Sequence, residues 1–202
     1  MDEIYTRLRR QLDAAGLKGT PCVWGTGPQD APVMLVGEAP GKDEVRLGRP
    51  FVGKAGQNLD EFLQMTGVER KALFITNVVK FRPCKVSEKG TVSNRPPTGT
   101  EIALCAACLR EEIGVVRPRC VVTLGNTALK ALLGKEAFIG QLHGQPRQGE
   151  GFMLFPLYHP ASIIYRRELK SVYEADLLRL RAWLDAQGID ARCGRFKVDS
   201  GR

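Results

Sequence analysis

Gly37-Glu38-Ala39-Pro40-Gly41 follows directly on the apolar run 33–36, where a buried strand would end. In open α/β sheets, ligands bind beyond the carboxyl ends of strands. Glycines at such an end let main-chain N–H groups approach a ligand closely. Glu38 puts a carboxylate inside the turn, suited to holding a water or taking a proton. A second glycine-bounded loop, Gly48-Arg49-Pro50-Phe51-Val52-Gly53, carries the ring of Phe51, which suits stacking on a flat heterocycle. Asn77 interrupts the apolar run 73–79, and His159 follows the run 152–157 in Tyr158-His159-Pro160-Ala161-Ser162. Short glycine motifs are weak signals singly. Each residue also has a bland reading: a core Phe, an Asn bonded to a loop, a structural His.

Asn77 has a specific chemical advantage. A buried amide must be satisfied, and a carboxamide offers one donor and one acceptor side by side. That pair matches O4 and N3–H of uracil and mismatches the N4 amine of cytosine.

The elements that must position these residues are legible as alternating strands and helices. Residues 2–16 predict an amphipathic helix with Ile4, Leu8 and Leu12 on one face, and 18–32 a loop in which Trp24 covers a sheet edge. Residues 54–66 predict a helix with Leu59, Phe62 and Leu63 inward. Its N-terminus, with Lys54 nearby, suits a phosphate. A long loop is expected over 81–99, a helix over 100–115, a strand over 120–124 and a helix from Asn126 through Leu133. The segment 137–150 reads as an irregular turn region with short strands, and 170–186 as the terminal helix. Four strands result, at 33–36, 73–79, 120–124 and 152–157. Residues 1–187 form one domain in this reading, and 188–202 a loosely ordered basic tail.

The 202 residues suffice for one domain with a real core. A net charge of +8 favours a polyanionic partner. No apolar run approaches a membrane span, and the acidic start is not that of a signal peptide. A cytoplasmic monomer is expected. Six cysteines stand at 22, 84, 105, 108, 120 and 193. Without a secretion signal they are expected to be reduced. Cys105 and Cys108 share a helix face. They can join Cys22 and Cys84 around a metal, or serve as small buried hydrophobes.

Taken in order, GEAPG, GRPFVGKAGQ, ITNVVKFRP, NRPPT and YHPAS resemble the family 4 uracil-DNA glycosylases, over roughly residues 33–184. The resemblance implies a three-layer α/β/α sandwich with a central, mainly parallel four-stranded sheet. It implies release of uracil from single- or double-stranded DNA. Glu38 then resembles the catalytic acidic position that organises water, and His159 the histidine beside uracil O2. Phe51 resembles the stacking ring and Asn77 the edge reader, with Gly37 and Ala39 lining the base. Lys54, Ser162, Ile163, Ile164 and Arg166 resemble DNA-contacting positions, with Ile163 or Ile164 as a minor-groove wedge.

The chain departs from that family at the cluster ligands. Typical members bind a 4Fe–4S cluster through four cysteines, two of them in an N-terminal CxxC. Here only Cys22 lies nearby, and Phe81 stands where the family has a cysteine. About eight extra residues, with Cys84, precede Asn94-Arg95. The expectation is a relative without the cluster; the alternative is a rearranged set of Cys22, Cys84, Cys105 and Cys108. Alternatives for function are a non-catalytic or base-trapping DNA-binding module on the same fold, and a glycosylase for a broader range of deaminated bases. An unrelated phosphate-binding enzyme is disfavoured, since no GK[ST] is present.

Overall fold

A computed structural model describes residues 1–191, apart from the side chains of Phe62, Ile164 and Tyr165. The inward position expected for Phe62 therefore lies outside the described residues, as do Cys193 and most of the tail. The first half of the chain forms α1 (Asp2–Ala14), β1 (Val33–Gly37), α2 (Lys42–Leu47), α3 (Lys54–Thr66), a 3-10 turn (Arg70–Ala72) and β2 (Leu73–Asn77). A hairpin of β3 (Cys84–Val86) and β4 (Val92–Asn94) follows, then α4 (Gly99–Val116), β5 (Cys120–Leu124) and α5 (Asn126–Leu133). The last part forms α6 (Ile139–Leu142), β6 (Arg147–Gln148), β7 (Met153–Leu157), α7 (Pro160–Tyr165) and α8 (Leu169–Ala186).

The main sheet runs in the order β2-β1-β5-β7-β6. Its first four strands are parallel, and β6 adds an antiparallel edge. The sheet thus has five strands rather than the expected four. The extra one is only two residues long and too polar to stand out as an apolar run. Strands buried on both faces read as near-continuous apolar runs, and VMLVG, LFITN and CVVTL are buried throughout. Alternation sends Val33, Leu35, Leu73 and Ile75 to one face, under Leu59 and Leu63 of α3 and Leu177 and Leu180 of α8. Met34, Val36, Phe74 and Val121 go to the other, against α1 and α4. The result is three layers.

Residues 22–26 run antiparallel along the free edge of β2, through the bridges Cys22↔Phe81 and Thr26↔Ile75. Trp24 lies between them and stacks on Tyr5, with ring centroids 4.4 Å apart. That cover protects an edge otherwise open to pairing. The helix at 42–47 was not expected. The long loop expected from 81 contains the β3–β4 hairpin, and the packed chain continues past 187. Ile189 and Ala191 are buried, and Glu69 N–H donates to the Ala191 carbonyl. No helix among the described residues is long and apolar enough to cross a membrane.

A buried ion pair joins the sheet to α4. Lys80 and Glu112 are both fully buried, with Nζ 2.6 Å from Oε2. Lys80 Nζ also donates to Thr76 Oγ1 at 2.7 Å and to the Asn77 carbonyl at 2.6 Å. Tyr5 and Thr76 donate their hydroxyls to Glu112. Removing one partner of such a pair strands a charge in the core, whereas replacing both with apolar groups is often tolerated. Lys80→Ala is expected to destabilise the protein by about 3–5 kcal/mol in urea denaturation. The double change Lys80→Met with Glu112→Leu is expected to recover most of that loss.

Candidate active site

The carboxyl ends of the parallel strands open on a pocket of about 790 Å3. Glu38 and Ala39 after β1, Phe51 before α3, Asn77 ending β2 and His159 after β7 all line it. Parallel pairing explains the convergence, since Gly37 is directly opposite Asn77 at the end of both strands. The ladder runs on into the turn: Val78 and Val79 N–H donate to the carbonyls of Gly37 and Glu38. A Cβ at Gly37 would collide with Asn77 Oδ1 and the Phe51 ring. Glycine is required there because ring and carboxamide close over that Cα.

Phe51 is buried at φ +54°, a strained region for a bulky residue. The surroundings fix it there. Arg70 Nη2 donates to the carbonyls of Pro50 and Phe51, at 2.9 and 2.7 Å, while Nη1 pairs with Asp60 at 2.7 Å. Gly56 lets the Phe51 carbonyl approach where any Cβ would collide. The ring ends up with its centroid 5.9 Å from that of His159.

The two loops are joined by Glu44, which the sequence reading missed. Its Oε2 accepts from Gly41 N–H at 3.0 Å, and its Oε1 from Val52 and Gly53 N–H at 3.0 and 2.8 Å. Glu44 stands three residues after Gly41, the spacing of a capping box, so a signal existed. Its carboxylate also revises the phosphate site expected at the start of α3. Two N–H groups at that end already serve an anion. Lys54 remains exposed on the pocket rim.

Glu38 is held from the side by Thr127 of α5, whose hydroxyl donates to Oε2. Thr127 was also missed, because its partner is 89 residues away in sequence. His159 is the N-cap of α7, and its Nδ1 accepts from Ala161 N–H at 3.1 Å. With Nδ1 an acceptor, the proton sits on Nε2, leaving that nitrogen as a donor. His159 lines the pocket, and desolvation pushes its pKa down to about 4, opposed by Glu44. The imidazole is therefore neutral near pH 7.

Ser162 lines the pocket. Ile163 does not face it: α7 turns this side chain into the core shared with α3 and α8, at 8% exposure. The wedge expected of Ile163 is corrected accordingly, and the Ile164 side chain lies outside the described residues. Arg166 is exposed and pairs with Glu168 at 2.9 Å. His143, the second histidine, bonds Asp176 at 2.6 Å and packs on Tyr158.

Cys22, Cys84, Cys105 and Cys108, the alternative ligand set, do not come together as one group. Cys105 and Cys108 are buried in the core that holds Phe81, with Cys22 packed against it. Phe81, 3% exposed, fills volume among them. Cys84 is exposed on the hairpin. Burial raises the thiol pKa of Cys22 and Cys105 and pushes Cys108 up to about 12. Among the described residues, no three Cys, His, Asp or Glu side chains group to hold a metal.

The sequence matches the uracil DNA glycosylase superfamily over residues 24–186. The chain belongs to this superfamily. It is 37% identical to a type-4 uracil-DNA glycosylase of Sulfurisphaera tokodaii, over 80% of this chain and 74% of that protein. A type-4 uracil-DNA glycosylase of Archaeoglobus fulgidus is 34% identical over 80% of this chain and 81% of its own length. One from Pyrobaculum aerophilum is 40% identical over 76% and 78%.

The His159 geometry has a direct spectroscopic consequence. Its folded pKa lies below the unfolded value, so the neutral form is favoured by folding. The resulting contribution is complete above about pH 6.5 and is lost as pH falls toward 4. Imidazole resonances of His159 followed by NMR are expected to titrate well below those of an exposed histidine, in the Nε2–H tautomer at neutral pH. A midpoint at about 6.5 would contradict the desolvated site.

Proposed function

We propose that this chain is a uracil-DNA glycosylase, hydrolysing the N-glycosidic bond of uracil in DNA and leaving an abasic site. One observation carries the reading: an aromatic ring, a carboxamide and a neutral histidine with a free Nε2–H border one pocket at the carboxyl edge of the sheet. The type-4 relatives bear that activity in their names.

The base must leave the helical stack to reach such a pocket. Phe51 stacks on it, Asn77 pairs with O4 and N3–H, and Ala39 borders the ring, whereas Gly37, expected to line the base, is buried beneath Phe51 and Asn77 and does not line the pocket. As the C1′–N1 bond breaks, its electron pair moves onto uracil, and charge grows on O2. His159 Nε2–H donates there. A neutral donor suffices, because a preorganised hydrogen bond in a dry pocket stabilises the anion strongly. Glu38, steadied by Thr127, holds a water against C1′. The water oxygen bonds to C1′ and its proton passes to Glu38, while the uracil anion takes up a proton on release.

Lys54 on the rim and Ser162 contact DNA phosphates in this reading, with Arg166 further out. Ile163 being buried, the wedge role is assigned to Ile164 on the family resemblance alone. The protein acts as a cytoplasmic monomer on single- or double-stranded DNA, without a 4Fe–4S cluster. Phe81, packed in one core with Cys105 and Cys108, supports the last point.

Single-turnover release of uracil from a single-uracil oligonucleotide tests the assignment. Glu38→Ala and His159→Ala are each expected to lower the rate by about 100-fold or more. Asn77→Asp loses the amide donor to O4, and is expected to cost at least about 100-fold on uracil. Unchanged rates in all three would refute the site. An absorbance spectrum of protein purified without oxygen checks the cofactor. Colourless protein is expected, and a broad band at roughly 400 nm with bound iron would overturn the cluster-free reading.

A further inference from the structure

The hairpin of β3 and β4 has no part in the core, and every residue in its two strands is exposed. Its register pairs Cys84 with Asn94, Lys85 with Ser93 and Val86 with Val92. Directly opposed residues share a face, and faces alternate along each strand. Val86 and Val92 therefore lie on the face of Asn94. Asn94 lines the pocket, together with Pro83 and Arg95. Its Oδ1 accepts from Arg82 Nε at 2.6 Å. The valine pair continues the pocket wall outward, about 7 Å further along the ribbon.

That pair is unusual for a surface. Val86 is 66% exposed and Val92 49%, side by side on a two-stranded ribbon. Such ribbons are marginal alone, but this one is anchored at its base. Arg95 donates from Nε to the Cys84 carbonyl at 3.2 Å and makes two 2.7 Å bonds to Glu101, the residue that closes the cap of α4. Its tip is a tight turn: Gly90, at φ +77°, donates to the Ser87 carbonyl at 2.8 Å, and Ser87 N–H to the Thr91 carbonyl at 3.0 Å. Lys85 and Lys89 sit along it, with Arg82 below, against the carboxylate of Glu88, while Arg95 is paired with Glu101.

We infer that the β3–β4 hairpin is an arm that grips DNA beside the nucleotide held in the pocket. Val86 and Val92 pack on the sugars and bases of nucleotides at least two positions from the one in the pocket; Lys85, on the opposite face of the ribbon, and Lys89, in the turn at its tip, reach phosphates around its edge. DNA is the occupant for two reasons. The apolar face is continuous with the pocket wall, and cations stand on the ribbon behind it and at its tip. This inference rests on the proposed glycosylase reading, since it takes the pocket to hold a nucleotide.

Two variants of the full chain, Val86→Ser with Val92→Ser and Lys85→Gln with Lys89→Gln, test the arm. The readout is single-turnover uracil release, as maximal rate over half-saturating enzyme concentration. It is measured on a long duplex and on a trinucleotide too short to reach the arm. On the long duplex each variant is expected to lose about 10-fold, through half-saturation rather than maximal rate. The lysine variant is expected to flatten the log–log salt dependence by about two. On the trinucleotide the variants are expected to follow the wild type. An unchanged ratio on the long duplex would overturn the inference. So would an equal loss on both substrates, which places the effect in the pocket. If the wild type released uracil from neither substrate, the glycosylase reading itself would fail. Anisotropy with a uracil-containing duplex would then decide the arm separately, an undiminished affinity in both variants overturning it.

Discussion

Glu44 accepts three main-chain hydrogen bonds, one from the loop after β1 and two from the loop before α3. Neither loop has a sheet partner of its own across this gap. Hydrogen bonds from N–H groups to a charged acceptor are stronger than neutral ones, so one side chain fixes the distance between the loops. Everything nearer the pocket inherits that distance. Phe51 reaches Gly37 because of it, and Asn77 and His159 then border the same space. The same carboxylate occupies the N-terminal end of α3, which limits what anion that end can hold.

The Phe51 loop adds strain that its neighbours contain. A bulky residue at positive φ persists only where its surroundings over-determine it. Here Arg70 grips two successive carbonyls and is itself pinned by Asp60. Gly56 supplies the room. The ring is thus preorganised rather than free to collapse into the pocket. Preorganisation matters most where charge develops in a low-dielectric site, because donors then need not reorient.

Behind the pocket, the Lys80–Glu112 pair links Asn77 to the helix layer. Lys80 Nζ donates to the Asn77 carbonyl, so β2 is held at its pocket end. This same layer holds Cys105, Cys108 and Phe81, with Cys22 packed against them. This face is knitted by an ion pair, an aromatic stack of Tyr5 on Trp24 and apolar contacts.

The sequence by itself determined the four parallel strands, most of the helices and the turns that end at the pocket. Those features depend on local periodicity and on glycine, which a linear reading contains. It also carried Glu38, Phe51, Asn77 and His159, because each sits at a strand end or in a glycine-bounded loop. Only the tertiary structure decided the partners. Thr127 meets Glu38 and Lys80 meets Glu112 across long stretches of chain, and no spacing rule encodes that. The burial of Ile163 followed from which face α7 turns to α3. The short strand β6 exists because β7 offers an edge, not because Arg147-Gln148 favours one. The tautomer and neutrality of His159 came from a neighbouring N–H and from desolvation, which are properties of the packed chain and not of the residue.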